Sequence, residues 1–205
     1  DKDETLLHIN LSHIGAKDFN AFTSKEFGKW GFTNLASMHI QNAYDANKDG
    51  FSDIAQVSKF NFNPKLFYNP NKKTALYFGA TISKENRKGG SMGKIMNENI
   101  ISSYFLDEQE SSRFTTQFSA QYKLDEVKTI TLKNSISSFD RYINIDENIL
   151  GTSTVFGGNQ LNSFTELNLN INKKKQNINI GLNALTDKFA EDNIIPHPLR
   201  NQEYQ

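Results

Sequence analysis

The chain has 205 residues, 23 basic and 23 acidic, and a formal net charge of zero. Its charges are dispersed, which excludes the basic face that a nucleic-acid site requires, and no nucleic-acid partner is expected. Cysteine is absent, so disulfides and thiolate metal sites are excluded. No apolar stretch approaches the length of a membrane helix. Transmembrane barrels escape that criterion, because only every second residue of their strands faces lipid.

Alternation of apolar and polar residues runs through almost the whole chain, the period of a strand with two unlike faces. Weak runs lie near Leu7 and Phe19. Trp30, Phe32, Ala36, Met38 and Ile40 then share a face, against Lys29, Thr33, Ser37, His39 and Gln41. From Lys59 to Tyr68, the residues Phe60, Phe62, Pro64, Leu66 and Tyr68 alternate with Lys59, Asn61, Asn63 and Lys65. Leu76, Phe78, Ala80 and Ile82 follow, opposite Tyr77, Thr81 and Ser83. Phe114, Phe118, Ala120, Tyr122 and Leu124 oppose Arg113, Thr115, Gln117, Gln121 and Lys123. A weaker run surrounds Ile130. Leu167, Leu169 and Ile171 oppose Glu166, Asn168 and Asn170, and Ile178, Ile180, Leu182 and Ala184 oppose Asn177, Asn179 and Asn183. About nine strands are predicted.

Tight turns are expected at Glu26 to Gly28, at Asn69-Pro70-Asn71-Lys72, at Asp125-Glu126 and from Asn172 to Lys175. Long connections are expected over Ala43 to Val57, Arg87 to Ser111, Tyr142 to Gln160 and from Lys188 onward. In a meander, alternate connections fall at the same end, so short turns gather at one end and long loops at the other. Outer-membrane barrels are built that way. The predicted fold is all-β, an antiparallel up-and-down meander forming part of a transmembrane β-barrel. The competing expectation is a soluble antiparallel sheet with one solvated face.

The sharpest local motif is Asp45, Asn47, Asp49, Gly50, Phe51, Asp53. It fits a calcium loop, with alternate oxygens converging and the Phe51 carbonyl contributing one more. Gln56 stands where an EF-hand has its bidentate glutamate. Calcium is therefore the one cofactor expected, with Asp45, Asn47, Asp49, Phe51 and Asp53 as ligands. The same residues also favour a plain solvated turn.

The remaining motifs fail on spacing. The run Gly89-Gly90-Ser91-Met92-Gly93-Lys94 has Lys88 and Ile95 where a phosphate loop needs glycine and a hydroxyl residue, and it is expected to be a mobile external loop. His8, His13, His39 and His197 form no metal pair. The acidic pairs Asp107/Glu108 and Glu191/Asp192 are expected in loops, and no enzyme is predicted. Lys173, Lys174 and Lys175 read as a solvated turn. Tyr68, Tyr77, Tyr104, Tyr122 and Tyr142 fall at strand ends or in a loop, where an aromatic girdle at a lipid boundary would put them.

The order of several segments resembles the early barrel strands of TonB-dependent outer-membrane receptors, in their siderophore and cobalamin branch. These are Asp45 to Asp53, Phe60 to Phe67, Thr74 to Gly79, Arg87 to Met92, Ser112-Arg113-Phe114, Phe139-Asp140-Arg141 and Leu161 to Phe164. The resemblance implies active import of a scarce ligand such as an iron chelate or cobalamin, energised by the TonB complex through a plug. It implies outer-membrane lipid as surroundings. It also implies that residues 1–205 are one partial barrel domain, with the plug and closing strands elsewhere. The alternative expectation is a soluble secreted calcium-binding β-domain for adhesion or carbohydrate contact.

Overall fold

The computed structural model describes residues 3–98, 104–147, 152–192 and 202–204. One antiparallel sheet in strict sequence order contains β1 (Glu4–Leu11), β2 (Lys17–Phe27), β3 (Trp30–Gln41), β4 (Gln56–Asn71), β5 (Thr74–Gly90), β6 (Phe105–Lys123), β7 (Lys128–Glu147), β8 (Thr152–Lys173), β9 (Gln176–Glu191) and the short β10 (Gln202–Tyr204). Among the described residues a single short helix, α1 (Met92–Ile95), follows β5. The fold is the all-β meander predicted from alternation. Among the described residues β1 and β10 are the two edges, and no pairing joins them.

Three of the four tight turns have a visible local cause. Gly28 takes φ +64° in the β2–β3 turn, a conformation that costs other residues about 1–2 kcal/mol. In the β4–β5 turn, Asn71 Oδ1 accepts the amides of Lys73 (2.8 Å) and Thr74 (2.9 Å). In the β6–β7 turn, Asp125 Oδ1 accepts the amides of Val127 (2.9 Å) and Lys128 (2.8 Å). Side chains that capture amides two and three residues ahead reverse the chain without a left-handed residue. Pro70 sits at the one register shift between β4 and β5, between Tyr68 and Asn71, where a missing amide breaks no ladder.

The Asp125 carboxyl is held below its ordinary range, first by the Val127 amide and then by Lys128. A lowered carboxylate pKa contributes to folding at neutral pH and loses that contribution as pH falls through the folded-state value. On acidification, hydrogen exchange at the Val127 and Lys128 amides should be faster than the intrinsic pH dependence of amide exchange gives, as their protection falls. In Asp125→Asn, which keeps an acceptor but has no titration, that added acceleration should vanish. An identical acid response in both proteins would remove the carboxylate from the account.

The long connections differ from expectation. β5 runs to Gly90, β6 begins at Phe105, β7 runs to Glu147 and β8 begins at Thr152. Much of Arg87 to Ser111 and of Tyr142 to Gln160 is therefore paired strand, and β9 itself extends past Lys188 to Glu191. The reason is that on β5 and β6 both faces become polar toward this end, while on β7 and β8 the apolar residues Ile143, Ile145 and Phe156 change to the face that is polar lower down. Pairing persists there, while the alternation that reveals a strand in sequence does not. β5 to β8 reach 17, 19, 20 and 22 residues, about twice the 9–11 that cross a bilayer.

Candidate functional site

Cross-strand register sorts the side chains into two faces. One row joins Phe32, Leu66, Phe78 and Phe118, and another joins Ala36, Phe62, Ile82 and Phe114. On β8 and β9 the same face carries Leu167 and Leu182, then Leu169 and Ile180. These side chains are not covered. Phe60, Phe78, Phe114 and Phe118 are exposed, and Leu182 reaches 78 %. Among the described residues the only buried hydrophobic side chain is Ile95. Among the described residues the sheet thus carries a large apolar face and almost no buried core.

The opposite face is a polar lattice. Tyr77 donates to Gln117 (2.7 Å), Thr115 bonds Ser137 (2.9 Å), Arg141 donates to Gln109 (2.8 Å) and Gln160 donates to Asp187 (3.0 Å). Lys59–Glu85 and Lys133–Glu166 pair across strands at 3.0 and 2.9 Å. Neighbouring residues of one strand thus meet different surroundings. Asp107 and Glu108 fall on opposite faces, so alternation separates this pair and they cannot act together as acid and base.

The apolar band crosses the hydrogen-bonded rows obliquely. The row starting at Ile40 continues through Ser58, Asn86, Glu110 and Tyr142. It is apolar on β3. On β5, β6 and β7 the last apolar residues of the band are Ile82, Phe114 and Ile136, four, four and six residues nearer the tight turns, with Thr116 and Asn134 interrupting it on β6 and β7. At the other border the run descends to Ile171 and Ile178, beside the last turn. A band that slides across the rows is one whose strands tilt relative to it, as strands of a closed barrel tilt to a membrane.

At the turn end the band finishes in aromatic residues. Phe27 pairs with Trp30, which stacks on Tyr68 at 4.1 Å, and Tyr122 lies on the same face, 48 % exposed. Of the five tyrosines named from the sequence, Tyr68 and Tyr122 lie at this border. Tyr77 lies on the polar face, and Tyr104, at the loop end, donates to Asp146 (2.9 Å). Tyr142 lies beyond the band. There the outer face carries Lys84, Glu110 and Asp140, and a Lys88–Glu108 pair at 2.6 Å that holds the Glu108 carboxyl below its ordinary range.

The loop end holds the densest packing. The β3–β4 connection carries Asp45 to Asp53 in one turn. Asp45 accepts the amides of Lys48 (2.7 Å) and Gly50 (2.8 Å), Asn47 Oδ1 that of Asp49 (3.1 Å), Asp49 that of Phe51 (2.9 Å) and Asp53 that of Ala46 (2.7 Å). Lys48 and Gly50 have φ +61° and +88°. The five residues expected to bind calcium are together, but each of the four side chains turns an oxygen to the loop's own amides. Among the described residues no three acidic or histidine side chains stand as a metal-ligand group.

This turn is clasped to the glycine run after β5. The Ser52 amide donates to Gly90 O (2.8 Å), the Met92 amide to Gly50 O (2.8 Å) and the Gly90 amide to Ser52 Oγ (2.9 Å). Ser91 exchanges bonds with Phe105: its amide donates to Phe105 O (2.8 Å), and its Oγ accepts the Phe105 amide (3.1 Å). Ser91 and Ile95 are buried. Gly89 to Met92, expected as a mobile loop, is thus a paired strand end and helix start. Gln41, also buried, donates to Ile14 O (2.9 Å) and ties in the β1–β2 turn. Sequence reading missed Gln41, Ser52 and Ser91, because a lone polar residue has no period to mark it.

His39 meets Asp18 at 2.6 Å and His8 meets Asn20 at 3.3 Å on the neighbouring strands, and His197 lies outside the described residues. Compared with known proteins, the chain matches no family model, no curated protein and no solved structure.

Proposed function

We propose that this chain is part of an outer-membrane β-barrel of the TonB-dependent receptor type, importing a scarce ligand such as an iron chelate or cobalamin. The observation that carries the membrane half of this reading is the exposed apolar band containing Phe60, Leu76, Phe78, Phe114 and Phe118. The soluble alternative needs those residues beneath a second layer, and none covers them among the described residues. The oblique course of the band and its aromatic border support the same reading. In it, the polar face lines the lumen and the clasped loops form the outer rim that meets the ligand. The importer half rests on the resemblance of segments from Asp45 onward to the receptor family, which supplies the mechanism: a plug, energised through TonB, opens the path.

The test is fractionation of cells expressing the full-length protein, with carbonate extraction of the outer membrane. Retention is expected. Release as a folded soluble protein would sink the importer. The leading experiment would then be calcium titration of the Asp45 to Asp53 loop, with Asp49→Ala as control. In the retained protein, ligand identity would follow from binding of iron chelates and cobalamin, read by energy-dependent uptake.

A further inference from the structure

The lysines of this protein are sorted by the fold in a way the linear sequence hides. The turns β2–β3, β4–β5, β6–β7 and β8–β9 all lie at one end of the meander. With their flanking strand ends they hold nine lysines: Lys25 and Lys29, Lys72 and Lys73, Lys123 and Lys128, and the run Lys173 to Lys175. Against them stand five acidic residues, Glu26, Asp125 and Glu126 in the turns and Asp3 and Glu4 where β1 begins, beside the first turn. All nine lysines are exposed. The chain is formally neutral, so the turn end is basic and the remainder carries the balancing negative charge.

Backbone bonds lace this end together. The Asn69 amide donates to Lys29 O (2.8 Å), the Lys123 amide to Lys73 O (2.8 Å) and the Asn172 amide to Val127 O (2.7 Å). Each turn is thereby tied to the next hairpin, and the lysines sit on one continuous rim. Between the second and third turns, Asn71, Lys72, Lys73, Gln121 and Lys123 line a polar groove. Directly inside the rim runs the aromatic border of Phe27, Trp30, Tyr68 and Tyr122.

We infer that this basic rim seats on the headgroups of anionic phospholipid in the leaflet at the turn end. The inference rests on the membrane reading above. The argument is charge complementarity at a fixed depth. Aromatic side chains sit at headgroup level, and lysines just beyond them reach phosphate through flexible stems. A cluster of lysines near a bilayer is attracted to anionic lipid, each adding to the preference. An acidic protein surface would need no aromatic border.

Trp30 is the only tryptophan and stands beside the first turn, so it reports this lipid shell. The protein is reconstituted in phosphatidylcholine vesicles containing either brominated phosphatidylglycerol or brominated phosphatidylcholine at equal mole fraction, and quenching of Trp30 is compared. Brominated phosphatidylglycerol should quench as if enriched about threefold or more around the rim. In the variant Lys29→Gln/Lys72→Gln/Lys73→Gln the ratio should fall to about one, and in Lys48→Gln/Lys94→Gln, at the loop end, it should stay. Equal quenching by both lipids in the unaltered protein would overturn the inference while leaving the membrane reading intact. Absence of quenching by either lipid would sink the membrane reading and the rim with it. A preference abolished by inorganic phosphate, but not by chloride of equal ionic strength, would mark a free-phosphate site and overturn the lipid assignment.

Discussion

If the chain is the membrane barrel proposed above, Phe78→Lys should abolish its stable insertion in the outer membrane, whereas Thr81→Lys on the same strand should be tolerated. Phe78 lies in the middle of the apolar band, 50 % exposed, between Leu66 on β4 and Phe118 on β6. A lysine on the lipid face near the bilayer midplane costs about 2–4 kcal/mol, falling toward zero at the interfaces. That is a large share of the 5–15 kcal/mol by which domains are commonly stable. Thr81 is three residues along and faces the other way, beside Asn63 and Thr115. Its neighbours are polar and uncharged, so on the barrel reading a lysine there would remain hydrated in a water-filled interior. The amount of heat-modifiable protein in washed outer membranes would report both. If both variants insert equally, the apolar face does not contact lipid. If both fail, strand β5 tolerates no lysine, and the result says nothing for lipid.

Gly90→Ala should detach the Asp45 to Asp53 turn from the end of β5 without dissolving the sheet. Gly90 has φ +114°, a region that costs a residue with a side chain about 1–3 kcal/mol. An added Cβ would also collide with the carbonyl oxygen of Phe105, which accepts the Ser91 amide. The Ser52, Ser91 and Met92 amides should then exchange faster, while amides in the middle of β5 and β6 keep their protection. Gly50→Ala, with φ +88° but no atom within 4 Å of the new Cβ, should show the backbone cost alone and a smaller effect. Hydrogen exchange resolved to single residues separates the two. Equal acceleration in both variants would mean the Phe105 contact contributes nothing.

Both variants follow from features of unequal visibility in the sequence. The two faces of β4, β5 and β6 are legible because every second residue from Phe60, Leu76 and Phe114 onward is apolar, and side chains alternate across a strand. The turns at Asn71 and Asp125 are legible because those side chains favour chain reversal for a local reason. The ends of β5, β6, β7 and β8 are not. Toward Arg87 and Gln109 both faces become polar, and toward Tyr142 and Phe156 the apolar residues Ile143 and Phe156 change face, so the period that marks a strand is lost although the ladder continues. Gly90 was visible as a glycine, but its purpose depends on Phe105, fifteen residues on.

The Asp45 to Asp53 motif shows the same boundary from the other side. Its spacing fits a cation loop, and its oxygens could serve either a cation or the loop's own amides. Spacing fixes which residues meet, not which partner each oxygen takes. In the fold each of the four side chains takes an amide.

The sequence by itself determined the strand class, the two-faced character of the sheet and the places where the chain reverses, because these depend on contacts between residues close in the chain. Only the tertiary structure decided that the apolar band runs obliquely, that two distant loops are clasped through Ser52, Gly90 and Phe105, and that lysines from four separate turns form one basic rim. Each of those depends on register between strands, and register is set by the pairing of segments that local sequence patterns do not connect.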